Sequence, residues 1–145
     1  PVAAKREEAA KLGADLCLDP SAMPAEEFEE KCRGYNFNCV IECCGLVKTI
    51  EQAVRAAGYK ATVMMFGLTK PDDAISLKPY DVFSKELTLR SSYINPYTQA
   101  RALALIESGR VDVTGMVCPP IPLEKLSEVL SDEKMRAKGK FVVQL

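Results

Sequence analysis

The chain has 145 residues, of which 48% are hydrophobic and 27% charged, with a formal net charge of -1. That length suits one domain with an ordinary core, and the composition excludes a disordered tail. The near-neutral charge offers nucleic acid or an anionic membrane surface no attraction, and the longest apolar runs, such as Ala61 to Leu68 with one Thr, fall far short of the roughly 20 residues that span a bilayer.

The sequence opens Pro1-Val2-Ala3-Ala4-Lys5-Arg6, with no initiator Met and no apolar stretch of the signal-peptide type, so it is expected to be the interior of a longer polypeptide. Six cysteines, Cys17, Cys32, Cys39, Cys43, Cys44 and Cys118, are expected to be reduced thiols of a cytoplasmic protein, because a chain this rich in core residues needs no disulfide framework. There is no histidine, which removes the commonest general base and a common neutral metal ligand.

Ala3 to Leu12 sets alanines and Leu12 on one side and Lys5, Arg6, Glu7, Glu8 and Lys11 on the others, the pattern of a helix packed on a sheet, closed by Gly13. Asp15 to Asp19 reads as a short strand stopped by Pro20, and Pro24 to Cys32 as a helix with Pro and acids in its first turn. Phe37 to Cys44 is apolar without strict alternation, as in a strand covered on both faces, and Gly45 ends it. Lys48 to Ala57 places Ile50, Ala53, Val54 and Ala57 at helical spacing, and Ala61 to Phe66 is a further buried strand closed by Gly67. A short helix around Tyr80 to Lys85 leads into a strand from Glu86 to Ile94. The longest helix is expected at Tyr97 to Ser108, with Asn95 as cap, Pro96 at its first position, Gly109 beyond its end and an inward stripe of Ala100, Leu103, Ala104 and Ile106. The tail changes texture, with Val111 to Val117, Ile121 to Leu123, a helix from Glu124 to about Leu130, and Lys140 to Leu145. Helix and strand alternating in this way predict a parallel α/β sheet, in which ligands sit at the carboxyl ends of the strands.

The segments Glu7 to Asp15, Val40-Ile41-Glu42-Cys43-Cys44-Gly45, Ile50 to Val54, Val63 to Gly67, Phe83-Ser84-Lys85-Glu86-Leu87, Ile106 to Val111 and Ile121 to Leu126, in that order and reaching Gly139-Lys140, resemble the zinc-dependent medium-chain alcohol and polyol dehydrogenases. The resemblance implies a partial Rossmann-like parallel sheet with helices on both faces, lacking its first two strands. Residues 1–109 would then be the partial dinucleotide-binding domain, and residues 110–145 a segment returning to a catalytic domain outside this chain. The family's catalytic zinc ligands, its structural zinc lobe and its Gly-rich pyrophosphate turn would all lie upstream of Pro1, so no metal ligand is assigned here. In the usual strand order 3-2-1-4-5-6 the two missing strands form the centre of the sheet. The strand at Leu16 to Asp19 is therefore expected to lack a neighbour, and the isolated chain to be unstable, aggregated or rearranged.

The same resemblance implies the cofactor-binding residues. Lys5 falls where the family often has a basic residue near the adenosine ribose, with Arg6 beside it; a solvated helix face fits both equally well. Cys43, Cys44 and Gly45 end a strand where the family's backbone passes close to the dinucleotide. They are not expected to bind zinc, since Cys39 and Cys43 lack a second ligand pair and a buried strand cysteine acts as a small hydrophobe. Phe66, Gly67 and Leu68, with Ser91, Ser92 and Tyr93, match the strand ends that bracket the nicotinamide ring through main-chain groups. Lys140 matches a basic residue that reaches the pyrophosphate, and a surface lysine fits it as well. One departure stands out: where the family usually has Gly-Gly, this chain has Lys60-Ala61, with Gly58 just before.

The function so implied is hydride transfer between a small alcohol or polyol and NAD, with NADP left open because the discriminating acidic position would precede Pro1. The parent protein is expected to be a cytoplasmic homo-oligomer, with no nucleic-acid or membrane partner, and the isolated chain to be inactive. A truncated non-catalytic remnant and a zinc-independent, quinone-type reductase of the same superfamily are the alternatives.

Overall fold

A computed structural model describes residues 2–94 and 97–145, and the chain divides into two compact units, Pro1–Ile94 and Asn95–Leu145. The first unit is built on a three-stranded parallel sheet in the order β1 (Cys39–Glu42), β2 (Thr62–Met65), β3 (Thr88–Ser91). Its helices are α1 (Ala3–Lys11), α2 (Ala25–Tyr35), α3 (Val47–Ala56) and α4 (Pro79–Lys85). Each crossover from one strand to the next carries a helix, as parallel strands require.

The core lies where the sequence concentrates small and β-branched side chains. Ala53 and Val54 of α3, with Ala57 just past its end, meet Ala61 and Val63, and Val40, Leu77, Leu87 and Leu89 pack around them. Val40, Val63 and Leu89 share one register row, so they point to the same face of the sheet, the one α3 covers. The cover expected on both faces is found on this one: the next row turns Ile41 and Arg90 the other way, Ile41 is 61% exposed, and Arg90 is exposed.

Two further expectations are corrected in this unit. The segment Asp15 to Asp19 joins no sheet, since no strand lies beside it to take its hydrogen bonds. Helix α1 buries no residue; the ion pair from Arg6 to Asp19, 2.8 Å, ties it to that unpaired segment. Between Leu16, Leu18, Pro20 and the outer edge of β1 runs a groove of about 670 Å³ whose walls also include Phe28, Cys32 and Ile41.

The pair Lys85-Glu86 has a structural explanation. Lys85 Nζ donates to the carbonyls of Ala57 (2.8 Å) and Arg55 (3.1 Å), satisfying acceptors that the end of α3 would otherwise leave open. A cation at a helix C-terminus adds a further fraction of about 1 kcal/mol. Glu86 takes the left-handed cap of α4, with φ 53°. The Lys60-Ala61 departure is also explained. Lys60 adopts φ 57°, the conformation for which glycine is the easy choice, at a cost of roughly 1–2 kcal/mol for a residue with a Cβ. Ala61 is fully buried, and Gly58 lies buried against Asn36, whose Oδ1 accepts from the Tyr59 N–H at 3.0 Å.

The second unit contains α5 (Gln99–Glu107), β4 (Ile121–Pro122), α6 (Leu126–Ser131), α7 (Glu133–Arg136) and β5 (Val143–Gln144), with β4 and β5 paired in parallel. The expected cap and first position of α5, Asn95 and Pro96, lie outside the described residues. At 9 residues α5 is shorter than α2, with 11, so α2 rather than α5 is the longest helix described. Its expected inward stripe of Ala100, Leu103, Ala104 and Ile106 is exposed, because no described element covers it. The helix expected from Glu124 begins at Leu126, after a 3-10 turn over Leu123–Lys125. Asp132 caps α7 by accepting from the Lys134 and Met135 amides.

Candidate functional site

The three strands of the sheet finish level. The last register pairs are Glu42 with Met65 and Met65 with Ser91, so the turns Cys43–Gly45, Phe66–Leu68 and Ser92–Tyr93 leave the sheet side by side at its carboxyl end. This is the end at which open parallel sheets bind ligands.

The first two turns touch backbone to backbone. A Cβ on Gly67 would collide with the Gly45 nitrogen and lie 2.6 Å from its Cα. A Cβ on Gly45 would collide with the Leu68 carbonyl oxygen and lie 2.7 Å from both the carbonyl carbon and the nitrogen of Leu68. Gly45 also has φ 70°, a conformation that glycine adopts without strain. Two glycines thus let two strand ends meet at a separation that any side chain would forbid. The Phe66 and Gly67 amides both donate to the Glu42 carbonyl at 2.9 Å, which fixes the junction further.

Most side chains at these turns are open to solvent. Phe66 is 55% exposed, Leu68 88% and Tyr93 81%, and Cys43, Cys44, Ser91 and Ser92 are exposed as well. The reading of the strand cysteines as buried small hydrophobes is corrected: Cys39, Cys43 and Cys44 are free and exposed, because the outer edge of β1 and its open face have no neighbour to bury them. The one buried thiol, Cys32, is held above its ordinary range by burial and then by nearby Glu29. Among the described residues no three His, Cys, Asp or Glu side chains converge, so the residues present do not fit a zinc site.

The remaining candidates are Lys5 and Arg6 on α1 and Lys140 in the second unit. Lys5 is exposed on α1. Arg6 Nη1 lies 2.8 Å from Asp19 Oδ2, yet this buried nitrogen forms no aligned hydrogen bond, so the contact is an ion pair without the added strength of a directed bond. Hydrogen bonds from the Ser21 hydroxyl and amide, then Arg6, hold the Asp19 carboxyl below the usual carboxylate range. Among the described residues no hydrogen bond or ion pair joins Lys5 or Arg6 to the strand-end turns. Lys140 belongs to the second unit, where its amide donates to the Met116 carbonyl at 2.7 Å and its carbonyl accepts from the Cys118 amide at 2.8 Å.

Sequence reasoning missed Glu42. It is the one buried charged side chain among the described residues, 4% exposed, and both its carbonyl and its carboxylate serve the strand-end turns. The available signal was a lone acid inside the apolar run from Phe37 to Cys44, where a charge must find partners to be tolerated.

The comparisons with known proteins agree with this fold. A crystal structure described as a zinc-binding dehydrogenase from Sinorhizobium meliloti 1021, bound to NADP, superposes with a TM-score of 0.89 at 29% identity, covering 99% of this chain and 43% of that one. L-arabinitol 4-dehydrogenase of Hypocrea jecorina is 32% identical over 100 residues, 67% of this chain and 26% of the relative. D-arabinitol dehydrogenase 1 of Uromyces fabae is 23% identical over 110 residues, 76% of this chain and 32% of the relative. The chain therefore spans less than half the length of the proteins it matches. The family model for zinc-binding dehydrogenases matches residues 1–108, and the chain belongs to that family.

Proposed function

We propose that this chain holds the nicotinamide end of a dinucleotide in an oxidoreductase that acts on a small alcohol or polyol. The observation that carries the reading is the contact of Gly45 with Gly67 and Leu68 at the level ends of parallel strands. It packs two strand-end turns backbone to backbone, with no room for a Cβ between them, so their main chain is held in place before a ligand arrives and little ordering cost remains on binding.

In this reading Phe66, Gly67 and Leu68, with Ser91, Ser92 and Tyr93, bracket the ring, and Cys43, Cys44 and Gly45 pass beside the adjoining ribose. Lys5 and Arg6 serve the adenosine end, Arg6 through a charge already shared with Asp19, and Lys140 serves the pyrophosphate. When bound, the nicotinamide ring accepts a hydride from the alcohol or returns it. The chain's own residues orient that ring and shield one side of it with the exposed apolar groups of Phe66, Leu68 and Tyr93. NAD is the proposed cofactor, NADP the alternative, and the metal ligands lie outside this chain. Residues 1–109 form the dinucleotide-holding part and residues 110–145 a segment serving the catalytic part. The parent protein is proposed to be a cytoplasmic homo-oligomer without nucleic-acid or membrane partners; among the described residues no helix is long and apolar enough to cross a membrane.

The full-length polypeptide, given NAD or NADP, zinc and a panel of polyols, is expected to produce reduced nicotinamide, and the 145-residue chain alone is expected to produce none. Cofactor binding by the full-length polypeptide without turnover of polyols would instead favour the zinc-independent, quinone-type reductase. Failure to bind either dinucleotide would refute the proposal.

A further inference from the structure

Glu42 presents a physical problem that the proposed function does not use. Its side chain is 4% exposed, and no cation pairs with it among the described residues, yet a buried carboxylate without partners costs several kcal/mol. The partners it does have lie in the strand-end turn and in the first turn of the helix that follows it. Oε1 accepts from the Cys44 amide at 2.7 Å, the Gly45 amide at 3.0 Å and Thr49 Oγ1 at 2.8 Å, and Oε2 accepts from the Gly45 amide at 3.2 Å. Thr49 lies in the first turn of α3, a helix that has no side-chain cap of its own, so the carboxylate also faces the positive end of that helix dipole.

The same residue reaches the second turn by two routes. Its carbonyl accepts from the Phe66 and Gly67 amides at 2.9 Å each, and its Oε2 lies 2.8 Å from where a Cβ on Gly67 would stand. An apolar residue of similar volume would satisfy the core on this face at no desolvation cost, but it would release the Cys44 and Gly45 amides and let the turn rotate.

We infer that Glu42 is a positioning residue: its carboxylate sets the Cys43–Gly45 turn against Gly67, and so fixes the spacing of the two strand ends that the dinucleotide would meet. The inference rests on the proposed function for its consequence, though not for its geometry. Charge is not what the site needs, since Oε1 alone accepts three of the four bonds and an amide oxygen can replace it.

The test uses the full-length polypeptide with NADH as probe, at temperatures well below melting. Glu42→Ala is expected to weaken NADH binding about tenfold or more, a loss of about 1.4 kcal/mol, while Glu42→Gln restores binding to near the wild-type level. Thr49→Val, which removes one donor to the carboxylate and leaves the strand-end residues unchanged, is expected to weaken binding by less than Glu42→Ala and to move the Cys44 and Gly45 amides, and it carries the test if Glu42→Ala fails to fold; binding and amide positions both unchanged in Thr49→Val would then overturn the inference. The amide resonances of Cys44, Gly45 and Gly67 are read in parallel. All three should move in Glu42→Ala and stay near their wild-type positions in Glu42→Gln. A Glu42→Ala protein that melts lower but binds NADH like the wild type would overturn the inference, as would a Gln variant as weak as the Ala variant. If the variants show these amide responses but the wild type binds no NADH, the positioning role stands and the proposed function falls.

Discussion

The two sides of the first unit differ sharply. Around β2 the chain is closed: Ala61 and Val63 are fully buried, Val63 lies between β1 and β3, and α3 covers their shared face. Along the outer edge of β1 it is open, with Cys39 and Ile41 exposed and a largely apolar groove of about 670 Å³ separating that edge from Leu16 and Leu18. Both sides use the same kinds of residue, so composition does not separate them. Strand neighbours do: a β-strand buries its side chains only when another strand or a helix lies against it, and an unpaired edge leaves backbone donors and acceptors as well as apolar surface available to other chains.

The largest effect this contrast predicts concerns the chain as a whole. Produced alone, the 145-residue chain is expected to aggregate or rearrange through the β1 edge, as read by sedimentation and circular dichroism. A monomer that melts cooperatively with an ordinary α/β spectrum would show that the open side costs nothing. Next come paired truncations in the full-length polypeptide. Val63→Ala, which empties space between two neighbouring strands and a helix, is expected to cost about 1–3 kcal/mol in denaturant unfolding. Ile41→Ala removes a larger side chain from a position 61% exposed in this chain. If it costs as much as Val63→Ala in the full-length polypeptide, the groove is filled there by other parts of the protein; if it costs less than about 0.5 kcal/mol, the groove stays open. The smallest effect is on the closed side: Lys60→Gly is expected to stabilise by about 0.5–1 kcal/mol, because glycine occupies φ 57° without the strain a lysine bears there.

Much of this organisation was legible in the sequence, and the parts that were not have a common cause. The amphipathic spacing of Ile50, Ala53 and Val54 placed α3 and its buried face correctly, and the closing glycines Gly45 and Gly67 marked the two turns that meet. Both signals are local, a helical period and a residue with special backbone freedom. The lack of a neighbour at Leu16 to Asp19 was expected, and the segment pairs with nothing; where burial depended on a partner element that the sequence did not reveal, the reading failed. The apolar residues of α5 look inward-facing, yet all are exposed, and Cys39, Cys43 and Cys44 look like core and are not. Periodicity says that a face is apolar, not that something covers it. The Lys60 conformation and the hub at Glu42 were missed for a different reason, since both break a local rule for the sake of a contact made elsewhere in the chain.

The most direct test of the account is a structure of the full-length polypeptide with NADH bound. The account predicts a nicotinamide ring beside the carboxyl ends of β2 and β3, with main-chain atoms of Phe66 to Leu68 and Ser91 to Tyr93 within hydrogen-bonding reach of its amide, about 3 Å, and the Gly45–Gly67 contact intact beneath it. A dinucleotide bound elsewhere, with these turns facing empty solvent, would contradict it.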